Sequence, residues 1–500
     1  MDGSSLAFID SGDLALKRDT SPLQEQLFHA IRDKIVNHLW PLGGKLPSTR
    51  KLAGELSISR NTVIAAYEQL VAEGYLESRV GSGFFVSVDL PEHYLHSSKE
   101  GKETGSAQSV RSEPSLINQP FSPGVPDLAQ FPIEKWQRFL QRHASRVSLL
   151  GNQDVQGSLA LRTALAQYLS TSRSVSCSPD QIIITSGAQQ ALYIASSVVL
   201  QRNDSLLMEQ PGYTQMSKVL NLKDIDVTPL SVEARQGFDL QHVVSSEAKA
   251  LYITPSNQYP MGTTLNTEQR ITLIQWAVEG KRWIIEDDYD SEFQFAHRPY
   301  ASLQGVAHDI GGAGQVIYIG SFSKVMFNGL RLGYMVVPEP LVAPCLAIKD
   351  ATAGDTPTHT QEALADFIRE GDLLRHIRKM RRLYQQKHQQ VCQSIERHFA
   401  GQVEVISQAA GLHVTLRWHA KVDEDDFVER ARQQGLVIRA MNYYEDSALK
   451  QDFTLKQGIA LKQSTSRKWG GVVLGFGNVA YDNIEPNIAK LATIFGSLLR

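Results

Sequence analysis

The chain has 500 residues, 42% apolar and 21% charged, with a formal net charge of −3. That length exceeds what one hydrophobic core supports, so two or more domains are expected. The near-neutral balance excludes a general affinity for polyanions and leaves any nucleic-acid or membrane binding to a local patch. Three widely spaced cysteines (Cys177, Cys345, Cys392) form neither a disulfide framework nor a zinc motif. Residues 1–10 lack the basic and apolar halves of a secretion signal, and no apolar run reaches bilayer length, so a cytoplasmic protein is expected, with no membrane partner.

In chain order, the first predicted element is a helix over residues 23–39, with Leu23, Leu27, Ala30, Ile31 and Ile35 on one stripe. Pro41-Leu42-Gly43-Gly44 stops it. A second helix, capped by Ser48, spans residues 49–56, and the turn Ser57-Ile58 leads to a third, capped by Ser59, that buries Val63, Ala66, Tyr67 and Leu70. Two strand segments, residues 74–77 and 81–86, flank a glycine-bearing turn. Three helices followed by a hairpin predict a winged helix-turn-helix. Ser59, Arg60, Asn61 and Thr62 at the start of the third helix are short polar or cationic side chains, as entry into a DNA major groove requires. Arg50 and Lys51 are placed to meet phosphates. Glu68, Glu73 and Glu77 bring the unit close to neutrality, so a winged helix serving protein interaction stays open as the second reading.

Leu46-Pro47-Ser48-Thr49-Arg50-Lys51-Leu52-Ala53, Ser59-Arg60-Asn61-Thr62-Val63 and Gly81-Ser82-Gly83-Phe84-Phe85-Val86 resemble the DNA-binding domain of the GntR family of bacterial repressors over residues 21–89. The resemblance implies a double-stranded DNA partner. It points to Arg50, Arg60 and Thr62 as contacts, beside Ser59 and Asn61 from the helix start, with Ser82 and Gly83 in the wing near the minor groove.

Residues 90–120 are rich in Ser, Gly and charge without hydrophobic period and read as a linker. From residue 121 to 500, short apolar runs alternate with helical segments: residues 181–185 before 188–200, 250–254 before 267–280, and 282–286 before an acidic turn. That alternation predicts an α/β fold with a mainly parallel sheet and a site at the carboxyl ends of its strands. The run Val316 to Ile319 ends in Gly320-Ser321-Phe322-Ser323-Lys324, with Gly329-Leu330-Arg331 following. A lysine after a strand is most often a solvated loop charge. A lysine, hydroxyls and an arginine seven positions on are also what pyridoxal 5′-phosphate (PLP) needs for a Schiff base and for its phosphate. Glu286-Asp287-Asp288-Tyr289-Asp290 supplies carboxylates for a pyridine nitrogen, although such a cluster is more often a metal site or a solvated turn. Ser186-Gly187-Ala188-Gln189 opens a helix whose amides suit a phosphate, and Pro211-Gly212-Tyr213 offers an aromatic partner for the ring.

Together these blocks resemble the fold-type I, class I aminotransferases over residues 121–500. By that resemblance Lys324 forms the Schiff base, Asp287 pairs with the pyridine nitrogen, Tyr289 donates to the ring oxygen and Tyr213 stacks on the ring. Ser321, Ser323, Arg331, Gly187 and Ala188 surround the phosphate, and Asn257 adds a polar contact. A GntR-like reader joined to such a domain is the arrangement of the MocR/GabR family of transcriptional regulators. It implies a homodimer whose aminotransferase-like domain senses an effector: PLP or a vitamer, an amine or an amino acid. An active aminotransferase carrying a DNA-binding tail is the rival. Two departures bear on that choice. Asn152 stands where the family has a tyrosine that reaches the neighbouring subunit's phosphate. Gly471 stands where transaminases carry the arginine that clamps a substrate carboxylate, leaving Arg467 or Lys468 as the only nearby cations.

Overall fold

The structure, a computed structural model, describes Ile9, Leu14, Leu16 and residues 22–37, 39–87, 118–295, 300–445 and 467–499. The chain divides into two units, Met1–Arg111 and Ser112–Arg500. Most of the linker expected over residues 90–120, and nearly all of the N-terminal segment, lie outside the described residues.

The first unit contains helices α1 (Leu23–Val36), α2 (Thr49–Glu55) and α3 (Arg60–Ala72) and strands β1 (Leu76–Arg79) and β2 (Gly83–Val86). Leu27, Phe28, Ile31 and Ile35 of α1 pack against Val63, Ala66, Tyr67 and Leu70 of α3, with Leu52, Leu76 and Val86 completing the core. Helix α1 ends before residue 39. The Asn37 side chain donates to the Asp33 carbonyl at 2.7 Å and closes the helix, and Trp40 then turns into the core. The Ser48 hydroxyl accepts from the Lys51 amide at 3.2 Å and the Ser59 hydroxyl from the Thr62 amide at 3.1 Å, so each serine satisfies a donor that its helix leaves open. Strand β1 begins at Leu76 because Gly74 (φ +81°) is still turning the chain. It pairs antiparallel with β2, Leu76 opposite Val86 and Arg79 opposite Gly83.

The second unit is built on a seven-stranded sheet. Its strands are β3 (Ile182–Thr185), β4 (Ser205–Gln210), β5 (Asp226–Ser231), β6 (Ala250–Ile253), β7 (Trp283–Asp288), β8 (Val316–Ser321) and β9 (Gly333–Val336), in the order β3-β9-β8-β7-β6-β4-β5. Every pairing is parallel except those of β9, which runs against both neighbours. Alternate residues face opposite cores: Ile183, Ile317, Ile319 and Met335 on one side, Ile182, Ile184, Tyr318 and Val336 on the other. A sheet buried on both faces explains the nearly continuous apolar runs in the sequence.

Strand β7 departs from expectation. Of the acidic residues expected in a turn after residue 286, Asp287 and Asp288 belong to the strand itself, Asp290 follows it, and all three are buried. Partners for each carboxylate make this possible. Glu286 accepts from the Leu303 and Gln304 amides, Asp287 from the Tyr252 hydroxyl, and Asp288 from Arg173 and Tyr318.

Beyond the large sheet, β10 (Glu404–Val405), β11 (His413–Trp418), β12 (Arg439–Ala440) and β13 (Gly470–Gly475) form an antiparallel sheet in the order β10-β11-β13-β12. The helices Asp372–Phe399 and Ile484–Leu498 contribute Phe399 and Phe495 to the core beneath it.

Candidate functional site

In the first unit the polar residues singled out at the start of α3 are displayed outward. Ser59, Arg60 and Asn61 are exposed and Thr62 is half-buried, while the opposite face of α3 is buried in the core. The Ser59 and Thr62 hydroxyls are 3.1 Å apart, so both help cap the helix. Arg60 Nε donates to Thr49 Oγ1 at 3.4 Å, which links α3 to α2. Arg50 is exposed at the start of α2, and Ser82 and Gly83 are exposed at the β1–β2 turn, where Gly83 holds φ +107°. Sequence reading overlooked Arg79 and assigned no place to Lys45. Arg79 stacks 4.4 Å above the Phe85 ring and Lys45 lies 5.8 Å from it, placing two cations on the wing.

In the second unit the strand ends converge. Strands β3, β4, β6, β7 and β8 finish at one edge of the sheet and the reversed β9 begins there, so segments remote in sequence meet. A cavity of about 290 Å³ lies at this edge. It is lined by Ala188, Tyr213, Asp287, Tyr289, Ser321, Ser323, Lys324 and Arg331 among the expected residues, by Asp290 of the acidic cluster, and also by Gly124, Tyr259, His413, Arg439 and Tyr444, which were not anticipated.

Lys324 Nζ donates to the Gly124 carbonyl at 2.5 Å. Burial pushes the Lys324 ammonium down to about 8, against the opposing pull of the Asp290 and Asp287 carboxylates. Burial pushes Asp287 up to about 7; the Tyr252 hydroxyl, donating to Oδ2 at 2.8 Å, works against that rise. Asp290 is raised to about 7 by the same cause and accepts from Asn257 Nδ2 at 3.0 Å. Asn257 is thus turned to Asp290 and does not line the cavity. Tyr289 lines it while donating to the Asn257 carbonyl at 2.9 Å.

At the other end Ser321 Oγ and Ser323 Oγ are 2.9 Å apart. Arg331, held in a left-handed backbone conformation (φ +52°), donates to the Ser186 carbonyl at 3.0 Å. Gly187 (φ +101°) caps the helix Ala188–Val199; a methyl group there would sit 3.3 Å from the Arg331 guanidinium.

These residues fit PLP. Asp287 Oδ1 is buried at the cavity wall without a hydrogen-bond partner, as an acceptor reserved for a protonated pyridine nitrogen would be. Serine hydroxyls, a helix N-terminus and an arginine converge where a phosphate would be held. Tyr252 and Gly124 had no sequence signal of their own: one is a core-type residue within an apolar strand, the other one glycine among many.

The comparisons with known proteins agree with both units. Residues 23–86 match the bacterial regulatory proteins of the gntR family, and residues 120–450 match aminotransferase class I and II. The probable rhizopine catabolism regulatory protein MocR of Rhizobium meliloti is 35% identical over 436 residues, covering 85% of this chain and 87% of that protein. The chain belongs to the MocR-type family of helix-turn-helix transcriptional regulators. The pyridoxine biosynthesis regulator PdxR of Corynebacterium glutamicum is 30% identical over 95% of this chain and 96% of its own. Among solved structures, the α-aminoadipate aminotransferase LysN of Thermus thermophilus, crystallised with N-(5′-phosphopyridoxyl)-L-leucine, superposes with a TM-score of 0.68 at 22% identity, covering 77% of this chain and 93% of that one. The multiple substrate aminotransferase of Thermococcus profundus gives 0.67 at 21%, covering 79% and 96%. These last two likenesses establish the fold. This family member pairs a DNA-binding winged helix with a PLP-type aminotransferase fold. Among the described residues no helix is long and apolar enough to cross a membrane.

At the clamp position Gly471 stands as the sequence indicated, and neither nearby cation takes the arginine's place. Gly471 is buried in β13, its amide donating to Glu424 Oε1 at 2.7 Å. A Cβ there would lie 2.8 Å from the Leu416 carbonyl and from the Trp469 ring. Arg467 is held by Glu424 and Glu445 and stacks on Trp469, and Lys468 is exposed; neither lines the cavity. Asn152, at the position of the family tyrosine, is in an exposed turn, where its carbonyl accepts from Gln153 at 3.1 Å.

Proposed function

We propose that this protein is a cytoplasmic, homodimeric regulator in which residues 21–89 read operator DNA, residues 90–120 link, and residues 121–500 bind PLP and sense a small molecule. The observation that carries the reading is the combination in one chain of an outward-facing recognition helix and a lysine-bearing cavity whose charged groups are already matched to a cofactor.

When bound, PLP supplies an electrophilic aldehyde carbon for an amine and an electron-withdrawing ring. Lys324 supplies the amine, and its lowered affinity for protons keeps a substantial fraction of it neutral and nucleophilic near neutral pH. Asp287 offers its free oxygen to the ring nitrogen while Tyr252 fixes the other. Ser321, Ser323, Arg331 and the amide end of the helix Ala188–Val199 hold the phosphate. Tyr213 would stack on the ring, and Tyr289, whose hydroxyl now donates to the Asn257 carbonyl, would donate to the ring oxygen. On this reading Arg60 and Asn61 reach base edges, Arg50 positions the helix on phosphates, and Ser82 and Gly83 approach the minor groove. A ligand that binds one state of the dimer more tightly than the other shifts operator affinity by that difference.

The test is operator affinity of the full-length protein with and without PLP, and then with a panel of amines, amino acids and B6 vitamers. A change of affinity with any of these supports the sensor. Multiple-turnover transamination at rates typical of enzymes, on the order of 10 per second, would show an aminotransferase carrying a DNA-binding tail instead.

A further inference from the structure

The expected clamp position cannot hold an arginine, yet the cavity contains one. Arg439 comes from β12, the strand next to β13, where it lies opposite Val473 and is half-buried. It lines the same cavity as Lys324. Its immediate company is aromatic: the guanidinium lies 4.4 Å from the Tyr443 ring centroid, and Tyr259 and Tyr444 line the cavity with it. Tyr444 in turn shares a 2.8 Å hydrogen bond with the Tyr259 hydroxyl. Among the described residues no carboxylate pairs with Arg439. The other arginines of this region are all committed. Arg467 is tied to Glu424 and Glu445, Arg417 to Glu404, and Arg173 to Asp288.

Arg439 also keeps different company from the residues assigned to the phosphate. Arg331 meets Ser186 and Gly187 at the end where the serine hydroxyls and the helix amides gather. Arg439 meets Tyr259, Tyr443 and Tyr444, and the cofactor contacts already assigned leave it without a role. A half-buried guanidinium stacked on a ring and lacking an anion is a preformed two-point donor site. Its planar fork matches the two oxygens of a carboxylate, whereas the helix amides and serine hydroxyls that suit a phosphate gather with Arg331.

We propose that Arg439 anchors the effector: it holds the carboxylate of a compound whose amino group meets Lys324, so the effector is an amino acid and not a simple amine. This rests on the sensor reading and specifies the ligand class of that site.

The experiment uses full-length protein loaded with PLP. The protein amino acids and a series of ω-amino acids are each titrated beside the amine that remains after loss of the carboxylate, for example L-alanine and β-alanine against ethylamine. The visible absorption of the lysine-bound cofactor and operator affinity are followed together. At least one amino acid should bind about 10- to 100-fold more tightly than its amine, the range of a charged, two-point hydrogen bond. Arg439→Gln should bring that ratio close to one, and Arg439→Lys should restore part of it. Both comparisons are ratios within one variant, so a variant with weaker overall binding still reports. Wild-type protein that prefers no amino acid to its amine, or Arg439→Gln protein that keeps the preference, overturns the assignment. Operator affinity that responds to PLP alone, with no amino acid preferred, removes the Arg439 role and leaves the sensor standing. Operator affinity indifferent to PLP and to every ligand removes both.

Discussion

The recognition helix and the cofactor cavity place their chemistry in opposite ways. On α3 the polar groups are exposed on the helix surface, and Arg60 has a single long hydrogen bond to Thr49 there. In the cavity the carboxylates and Lys324 interact with one another in low-dielectric surroundings, and none keeps its ordinary proton affinity. The exposed set works by summed, salt-screened contacts; the buried set works by mutual dependence. Loss of the buried lysine should therefore be nearly absolute, loss of its buried partners large, and loss of an exposed member graded.

The sharpest test of that contrast is Lys324→Ala, which should abolish the visible band on reconstitution with PLP and leave the thermal midpoint close to wild type, since Lys324 contributes to a cavity wall and not to the apolar core. A retained band would place the cofactor lysine elsewhere. Next, Asp287→Ala should weaken PLP binding by more than about tenfold, a loss of about 1.5–3 kcal/mol for a charged hydrogen bond, measured by fluorescence titration. Arg60→Ala should cost about 1–3 kcal/mol on a cognate operator and flatten sequence preference; an unchanged preference would make Arg60 a phosphate contact. The rate of PLP capture by cofactor-free protein should rise about tenfold from pH 7 to pH 9 and level off, because the neutral amine is the nucleophile and burial sets its midpoint near 8. A rate still climbing through pH 10 would mean that Lys324 titrates like a solvated lysine. The smallest effect is expected for Arg50→Ala, a uniform weakening on all sequences with the logarithmic salt slope reduced by about one. A base-specific loss at that position would reverse the roles of the two arginines.

The cavity also revises the argument from the missing clamp. From the sequence, glycine at position 471 suggested a site without an arginine for a carboxylate. The structure agrees about Gly471, where Trp469 and the Leu416 carbonyl leave no room for a side chain. Arg439 on the adjacent strand nevertheless brings a guanidinium to the same cavity. Motif alignment compares positions along one strand and is blind to its neighbour.

What the sequence determined by itself was local or periodic. Helical stripes, serine caps, strand-to-helix alternation and the order of short motifs depend on residues within a few positions of one another, and they located α3, the Ser186-Gly187 turn and Lys324. Tertiary structure decided which groups share a low-dielectric space. It drew Glu286, Asp287 and Asp288 into β7, because Arg173, Tyr252, Tyr318 and the Leu303 amide come from distant segments to satisfy them. It also brought Gly124 to Lys324, 200 positions away in the chain, and Arg439 to the cavity wall. Burial and charge pairing act through space, so side chains such as Tyr252 and Arg439 acquire a chemical role only when the sheet edge brings them to the lysine.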